Sequence, residues 1–381
     1  MDETANAAGD SFLAGFDASR LLDLLADGAY ITDSDRKIVY WNRAAEKISG
    51  WKAEEVVGRK CRDNILVHVD KDGHELCGQE HCPLHRSILT GKPSAEPMLV
   101  FAQHPTNGRV PVEVTVSPIR NPAGEIIGGI EMFRDLTDSV QDQLRAKEIQ
   151  ERAVHSEFPP DSRVDFEVRY QPRDLVGGDF FRIEKLDDDR YVILLADVRG
   201  HGMSAALYTM FLRSLWDEHR RDQASPANLL RIINERLLDI VFDMGFFGTA
   251  VLASYHAGSG ELCLVRAGHP APLLFRTDGT TESIGSANPA LGLQTGETYT
   301  ETTLNLSPGD AVLLYTDGAT EVSDGNDREL GRDGLLHLAR LQPQDGNTGF
   351  HLSQLEEQLL RYSNQIHLAD DLTLIKLHRL S

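Results

Sequence analysis

The spacing of apolar and polar positions changes along the chain, and the changes outline its elements. From Asp17, the run Ser19-Arg20-Leu21-Leu22-Asp23-Leu24-Leu25 has the spacing of an amphipathic helix. Gly28–Asp33 and Lys37–Asn42 follow as short strands joined at Ser34-Asp35-Arg36, then helical stretches at Ala44–Ile48 and Ala53–Val57. β-type runs occupy Ala95–Gln103, Val110–Arg120 and Glu125–Arg134, separated by Pro105-Thr106-Asn107-Gly108 and Asn121-Pro122-Ala123-Gly124, which are turn sequences. Residues 135–157 lack Gly and Pro and favour helix. Their apolar stripe of Val140, Leu144, Ile149 and Ala153 is narrow, which suits either pairing with a second copy or a solvated linker helix. Pro159-Pro160 ends this helix.

Beyond it, Val176–Gly202 reads as a hairpin, two β-favouring runs around Leu186-Asp187-Asp188-Asp189-Arg190. A turn centred on Asp188 places Asp179 opposite Asp197, with Cβ atoms ~5 Å apart on one face. Two carboxylates that close repel unless one is protonated or a cation lies between them. An all-oxygen site of this kind accepts a hard divalent ion, Mg²⁺ or Mn²⁺. The plainer alternative is an acidic hairpin with a solvated rim.

A helix is expected over Met203–Arg221, and a second from Ser225-Pro226 to about Phe242, with Ser as N-cap and Pro at the first turn. Strands are expected at Gly248–His256, Glu261–Arg266, Pro272–Arg276, Thr281–Ile284, Ala311–Tyr315 and Leu372–His378, with helices at Asp333–Arg340 and Leu352–Asn364. This segregation predicts an α+β class with stacked antiparallel sheets. The apolar run Ala311–Thr316 ends at Asp317-Gly318, and Leu372–Leu377 starts after Asp370-Asp371. If the two strands are antiparallel neighbours, Asp317 lies beside Asp370 and Asp371 at one sheet edge.

Composition narrows the function. The 381 residues are 41% hydrophobic with a net charge of −21, ample for packed cores and unsuited to gripping a nucleic-acid backbone. No apolar run reaches the ~20 residues of a membrane span. The acidic, polar start Met1-Asp2-Glu3-Thr4 is not a signal peptide, so a cytoplasmic location is expected. Four cysteines give no disulfide framework.

Several blocks carry a family resemblance in the first third: Ile31-Thr32-Asp33, Ile38–Ala45, Ile48-Ser49-Gly50-Trp51, Glu54–Gly58 and Phe133–Thr137. In this order they resemble a PAS sensor domain, which implies an antiparallel sheet cupping a small pocket without naming a ligand. Within it lie Cys61, Cys77 and Cys82, with His68, His74, His81 and His85 nearby. The Cys77-x₄-Cys82-Pro83-Leu84 run is compatible with a metal, an Fe–S cluster, haem ligation, a thiol switch, or merely an irregular loop.

A second resemblance spans roughly residues 155 to 380. Its blocks are Tyr170–Phe181, Ala196–Leu207, Ala267–Pro272, Leu306–Asp310 with Leu314–Gly318, and Ala369–Thr373. Together they resemble the PPM/PP2C-type metal-dependent protein phosphatases of the bacterial SpoIIE/RsbU-like branch. The resemblance implies an N-terminal PAS domain (16–138), a helical linker (139–157) and a C-terminal α-β-β-α sandwich (158–381), after a frayed stretch at 1–15. It also implies two Mn²⁺ or Mg²⁺ ions. Asp197 would bridge them with help from the Val198 carbonyl, Asp317 and Asp370 would hold one, and Asp179 the other. Asp371 either joins the ligands or orients its neighbours. Such a centre activates water for in-line attack, so no nucleophilic Ser or Cys is needed. His201 is the candidate to protonate the leaving oxygen; it also fits as a plain turn residue, and Arg173 fits as a phosphate contact or an exposed Arg. The implied substrate is a phosphoserine or phosphothreonine protein, a STAS-type anti-sigma-factor antagonist, and the implied assembly a homodimer. The competing reading is a catalytically silent scaffold that binds a phosphoprotein.

Overall fold

The computed structural model describes residues 17–77, 81–94, 97–154, 160–200, 202–219, 225–241, 247–325, 328–341, 350–363 and 368–381. The chain forms two compact units that divide between Asp142 and Gln143.

The first unit contains α1 (Ala18–Leu22), β1 (Gly28–Asp33), β2 (Ile38–Trp41), α2 (Arg43–Ser49), α3 (Ala53–Val56), α4 (Pro83–Thr90), β3 (Met98–His104), β4 (Gly108–Arg120) and β5 (Ile126–Asp135). The strands make one antiparallel sheet in the order β2-β1-β5-β4-β3. Asn42 fixes the start of α2. Its Oδ1 accepts the N–H of Ala45 at 2.7 Å and that of Ala29 at 2.9 Å, while Nδ2 donates to the carbonyls of Leu22 and Asp27. One buried amide thereby holds a helix cap, a strand and the preceding loop together. Helix α4 is missed by the apolar pattern. It starts with Pro83 at its first position and ends at Gly91. It lies over Gly129, where a Cβ would sit 2.7 Å from Leu84 Cδ1.

Helix α5 (Thr137–Val154) follows. The second unit continues with β6 (Val164–Gln171), β7 (Asp179–Lys185), β8 (Arg190–Val198), α6 (Met203–His219), α7 (Pro226–Val241), β9 (Gly248–His256), β10 (Glu261–Ala267), β11 (Leu273–Phe275), β12 (Thr281–Ser283), β13 (Thr302–Asn305), β14 (Ala311–Tyr315), α8 (Gly331–Arg340), α9 (Leu352–Ser363) and β15 (Leu372–Arg379). Two five-stranded sheets run β13-β10-β9-β8-β7 and β12-β11-β14-β15-β6. Strands β6 and β13 are further elements that the apolar runs alone do not pick out.

The two sheets stack face to face. Ile193, Val251 and Leu264 of the first sheet share a core with Val312, Leu314, Ile375 and Leu377 of the second. Helices α6 and α7 cover the first sheet through Leu212, Trp216, Leu230 and Ile233. On the far side, Leu335, Leu355 and Leu359 of α8 and α9 pack on Leu313, Tyr315 and Leu374. The layers are therefore α-β-β-α. Strands β14 and β15 are buried on both faces, which explains the unbroken apolar run of β14.

Candidate metal centre

Asp179 opens β7 and Asp197 stands one residue before the end of β8. They are directly paired across the hairpin, the register the sequence predicts. The tip is closed by Asp187, whose Oδ1 accepts the N–H groups of Asp189 and Arg190. In the other sheet, β14 and β15 are antiparallel neighbours, with Tyr315 opposite Leu374 and the Thr316 N–H bonded to the Thr373 carbonyl. Asp317 starts a 3₁₀ turn there, next to Asp370 and Asp371. The approach is close because position 318 is glycine: a Cβ on Gly318 would lie 1.9 Å from the Asp371 carbonyl oxygen.

Hydroxyls join the two sheet edges. Thr316 Oγ1 and Thr373 Oγ1 both donate to Asp179 Oδ2, at 2.9 and 2.5 Å. Asp371 accepts the N–H of Arg173 at 2.6 Å and of Gly178 at 2.5 Å. Asp371 thereby ties the loop that leads into Asp179 to the start of β15. Gly178 also packs against Val198, whose carbonyl oxygen would lie 2.7 Å from a Cβ at 178.

The electrostatics are those of crowded acids. Burial pushes the Asp197 carboxyl up to about 8, with repulsion from Asp317, Asp370, Asp371 and Glu321 adding to it. Asp317 is pushed up to about 6 by burial, then by Glu321 and Asp370. Asp179 is also raised, by burial and then by Asp197 and Asp371, against the opposing effect of the two threonine hydroxyls. Its Oδ1 is buried without a hydrogen-bond partner. An orphaned carboxylate oxygen among mutually repelling acids is the environment a hard divalent cation satisfies. Among the described residues, the group of three whose ligand atoms all lie within 4.8 Å is Asp70, Asp72 and His74 in the first unit. That group is a self-bonded turn, with Asp70 Oδ1 accepting the N–H of Asp72 and of His74.

Residues 187–380, half of the chain, match the family model for Stage II sporulation protein E (SpoIIE). The chain belongs to the SpoIIE family. Residues 17–136 match the PAS fold, so the first unit is a PAS domain. Phosphoserine phosphatase RsbU of Bacillus subtilis is 24% identical over 309 residues, covering 80% of this chain and 88% of its own. Protein IcfG of Synechocystis sp. is 24% identical over 276 residues, 64% of this chain, and phosphoserine phosphatase RsbP of Bacillus subtilis is 26% identical over 179, 46% of this chain. The chain spans only 43% and 44% of the lengths of these last two relatives. Among solved structures, the SiaA-PP2C domain of Pseudomonas aeruginosa superposes with a TM-score of 0.54 at 23% identity, over 64% of this chain and 98% of that domain. The second unit thus has the PP2C fold.

The remaining sequence candidates of this SpoIIE-family chain are placed as follows. Arg173 is exposed, and its backbone N–H bonds to Asp371 Oδ1. Arg199 is exposed and stacks on Phe247, 5.2 Å from the ring centroid. His201 lies outside the described residues. Cys61, Cys77 and Cys82 are buried in the PAS domain, remote in sequence from every acid of the centre.

Several residues at the site escape the sequence reading. Thr316 and Thr373 each flank a candidate ligand, and that adjacency is the signal that could have found them. Glu321 adds charge one turn beyond Asp317. His269 is buried and bonded through Nδ1 to Thr249 Oγ1 at 2.8 Å, and Thr249 is paired with Asp197. Burial holds its imidazole neutral, lowered to about 3.

Proposed function

We propose that this protein is a metal-dependent phosphoserine/phosphothreonine protein phosphatase governed by its PAS domain. The observation that carries the reading is the convergence of Asp179, Asp197, Asp317 and Asp370 at one edge of two stacked sheets, with Asp179 Oδ1 buried and unpartnered. In this reading Asp197, the Val198 carbonyl, Asp317, Asp370 and Asp179 Oδ1 are the groups that would hold two Mn²⁺ or Mg²⁺ ions. When bound, the ions supply a water deprotonated near neutral pH and offset the charge of the phosphoryl oxygens.

The chain's own residues position this chemistry. Thr316 and Thr373 saturate Asp179 Oδ2, so Oδ1 is the atom presented. Asp371 holds the Gly178 amide and thereby the start of β7. His201 is the proposed donor of the proton that the serine oxygen takes on leaving.

A phosphoserine substrate is supported by the names of RsbU and RsbP, and by the resemblance it is a STAS-type phosphoprotein. Residues 16–138 act as sensor, 139–157 as connecting helix and 158–381 as phosphatase. Helix α5 leaves Leu144 and Ile149 exposed, consistent with a homodimer formed along it. None of the described helices is long and apolar enough to cross a membrane, and we place the protein in the cytoplasm.

The test is phosphate release from a phosphoserine STAS-type protein by the full chain, with and without Mn²⁺. Manganese-dependent turnover that Asp197→Asn abolishes is expected. Metal binding without turnover on any phosphoprotein would turn the reading into the silent scaffold.

A further inference from the structure

The interior of the PAS domain holds a second cluster of chemistry-bearing groups, unused by the phosphatase. Glu131 lies on the central strand β5, directly opposite Tyr30 of β1, and both are 1% exposed. The Tyr30 hydroxyl lies within reach of Glu131 and of the Cys61 thiol. His68 is 3% exposed, with Nε2 3.7 Å from Glu131 Oε1, beyond hydrogen-bond distance, and both atoms lack a partner. The backbone N–H of His68 donates to Cys77 Sγ at 3.1 Å. Cys61, Cys77 and Cys82 are all buried; the Cys61 thiol is raised first by burial and then by Glu131 and Cys82, and the Cys77 thiol first by burial and then by Cys82, Cys61 and Glu131. The five groups therefore crowd one interior.

Three buried thiols alone could be small apolar filling. Glu131 and His68 do not fit that account. A carboxyl group and an imidazole that each bury an unpartnered atom are destabilising unless something meets them. The backbone points the same way. Val67, a β-branched residue, is held at a φ of 33°, a costly conformation immediately before His68. The donor chemistry then selects the ligand. Sulfur with imidazole nitrogen suits a thiophilic or borderline ion, where the oxygen-only centre of the second unit suits a hard one.

We propose that Cys61, Cys77, Cys82 and His68 bind one thiophilic divalent ion of the zinc or ferrous class inside the PAS domain, with Glu131 facing it. No three of these donor atoms lie within 4.8 Å of one another as the domain stands. Binding therefore requires the four donors to draw closer together than they stand. The thiols pass their protons to solvent as the ion enters.

The test uses the full chain, stripped with chelator and titrated with Co²⁺ in the presence of excess Mg²⁺ to fill the hard site. One cobalt per chain with thiolate-to-cobalt charge-transfer absorption is expected. Cys77→Ser and Cys82→Ser should each reduce that band by about a third and weaken binding by at least about 10-fold, while manganese-dependent turnover on a phosphoserine peptide persists. His68→Gln should shift the visible cobalt bands and keep the charge-transfer band. If a serine variant fails to fold by circular dichroism, the wild-type spectrum still decides. Cobalt bound without thiolate absorption, or no cobalt held by folded wild-type chain, overturns the proposal, as does a band indifferent to both serine variants.

Discussion

The side-chain amide of Gln150 pairs with both backbone groups of Gly177. The Gly177 N–H donates to Oε1 at 3.0 Å, and Nε2 donates to the Gly177 carbonyl at 2.7 Å and to Thr209 Oγ1 at 3.1 Å. Gly177 stands two residues before Asp179 and has no room for a side chain, since a Cβ would lie 2.8 Å from Asp371 Oδ2. The last turns of α5 are thus hydrogen-bonded into the loop that presents a candidate ligand. Gln150→Ala leaves that amide and carbonyl unpaired in a buried place, a cost of about 1–3 kcal/mol. The expected outcome is a Mn²⁺ requirement raised about 10–100-fold, read from activity against metal concentration. A lower melting temperature with unchanged metal dependence would reduce Gln150 to a structural prop.

Thr316 and Thr373 invite a matched pair of variants. Thr373→Val keeps the shape of the side chain and removes the donor to Asp179 Oδ2. Metal affinity should weaken about 10–100-fold, with Thr316→Val following the same direction. The double variant should fall short of the sum, because both hydroxyls act on one oxygen. Isothermal titration with Mn²⁺ measures all three.

Acid crowding predicts a pH dependence of definite sign. The folded-state values of Asp197, about 8, and Asp317, about 6, lie above the ordinary 3.8. The folded metal-free protein thus holds protons the unfolded chain has released. The stability this contributes is complete below 3.8 and is lost as pH rises through about 6 and then about 8. Asp197→Asn should therefore gain on the wild type, in urea midpoint, as pH climbs across that window without metal. Saturating Mn²⁺ should reverse the order at neutral pH. A gap between the two proteins that ignores pH would contradict the burial of this acid.

Gly318→Ala probes the meeting of β14 and β15. The new methyl would sit 1.9 Å from the Asp371 carbonyl oxygen, which is backbone and cannot rotate away. The strand ends must part, at a cost of about 1–3 kcal/mol. Turnover should fall further than the melting temperature suggests, because Asp317 and Asp370 lie on opposite sides of the wedge. Equal stability and activity losses would mean that the edge tolerates the spread.

The sequence made the acids legible because each one sits where a periodic element begins or ends. Asp179 and Asp197 follow from a turn and a two-residue period, and Asp317 and Asp370 from two apolar strands that stop or start beside them. The order of motifs supplied the layered architecture. What stayed hidden depends on contacts across the fold. Gln150 is one polar residue on a mostly polar helix until α6 and the Gly177 loop enclose it. Helix α4 has few apolar positions, and its place is set by the empty face of Gly129. The unpartnered atoms of His68 and Glu131 belong to residues 63 positions apart, beyond the reach of any local pattern.

The tip of the β7–β8 hairpin works as a ruler. Asp187 bonds across it, and Arg163 pins the Asp188 carbonyl from outside. Nothing at the tip touches the reacting groups, roughly 30 Å of strand away. Yet one residue inserted there would turn the far end of either strand over and send Asp179 or Asp197 to the wrong side of the sheet. Length at this distant bend should therefore be far less negotiable than the identity of the residues that fill it.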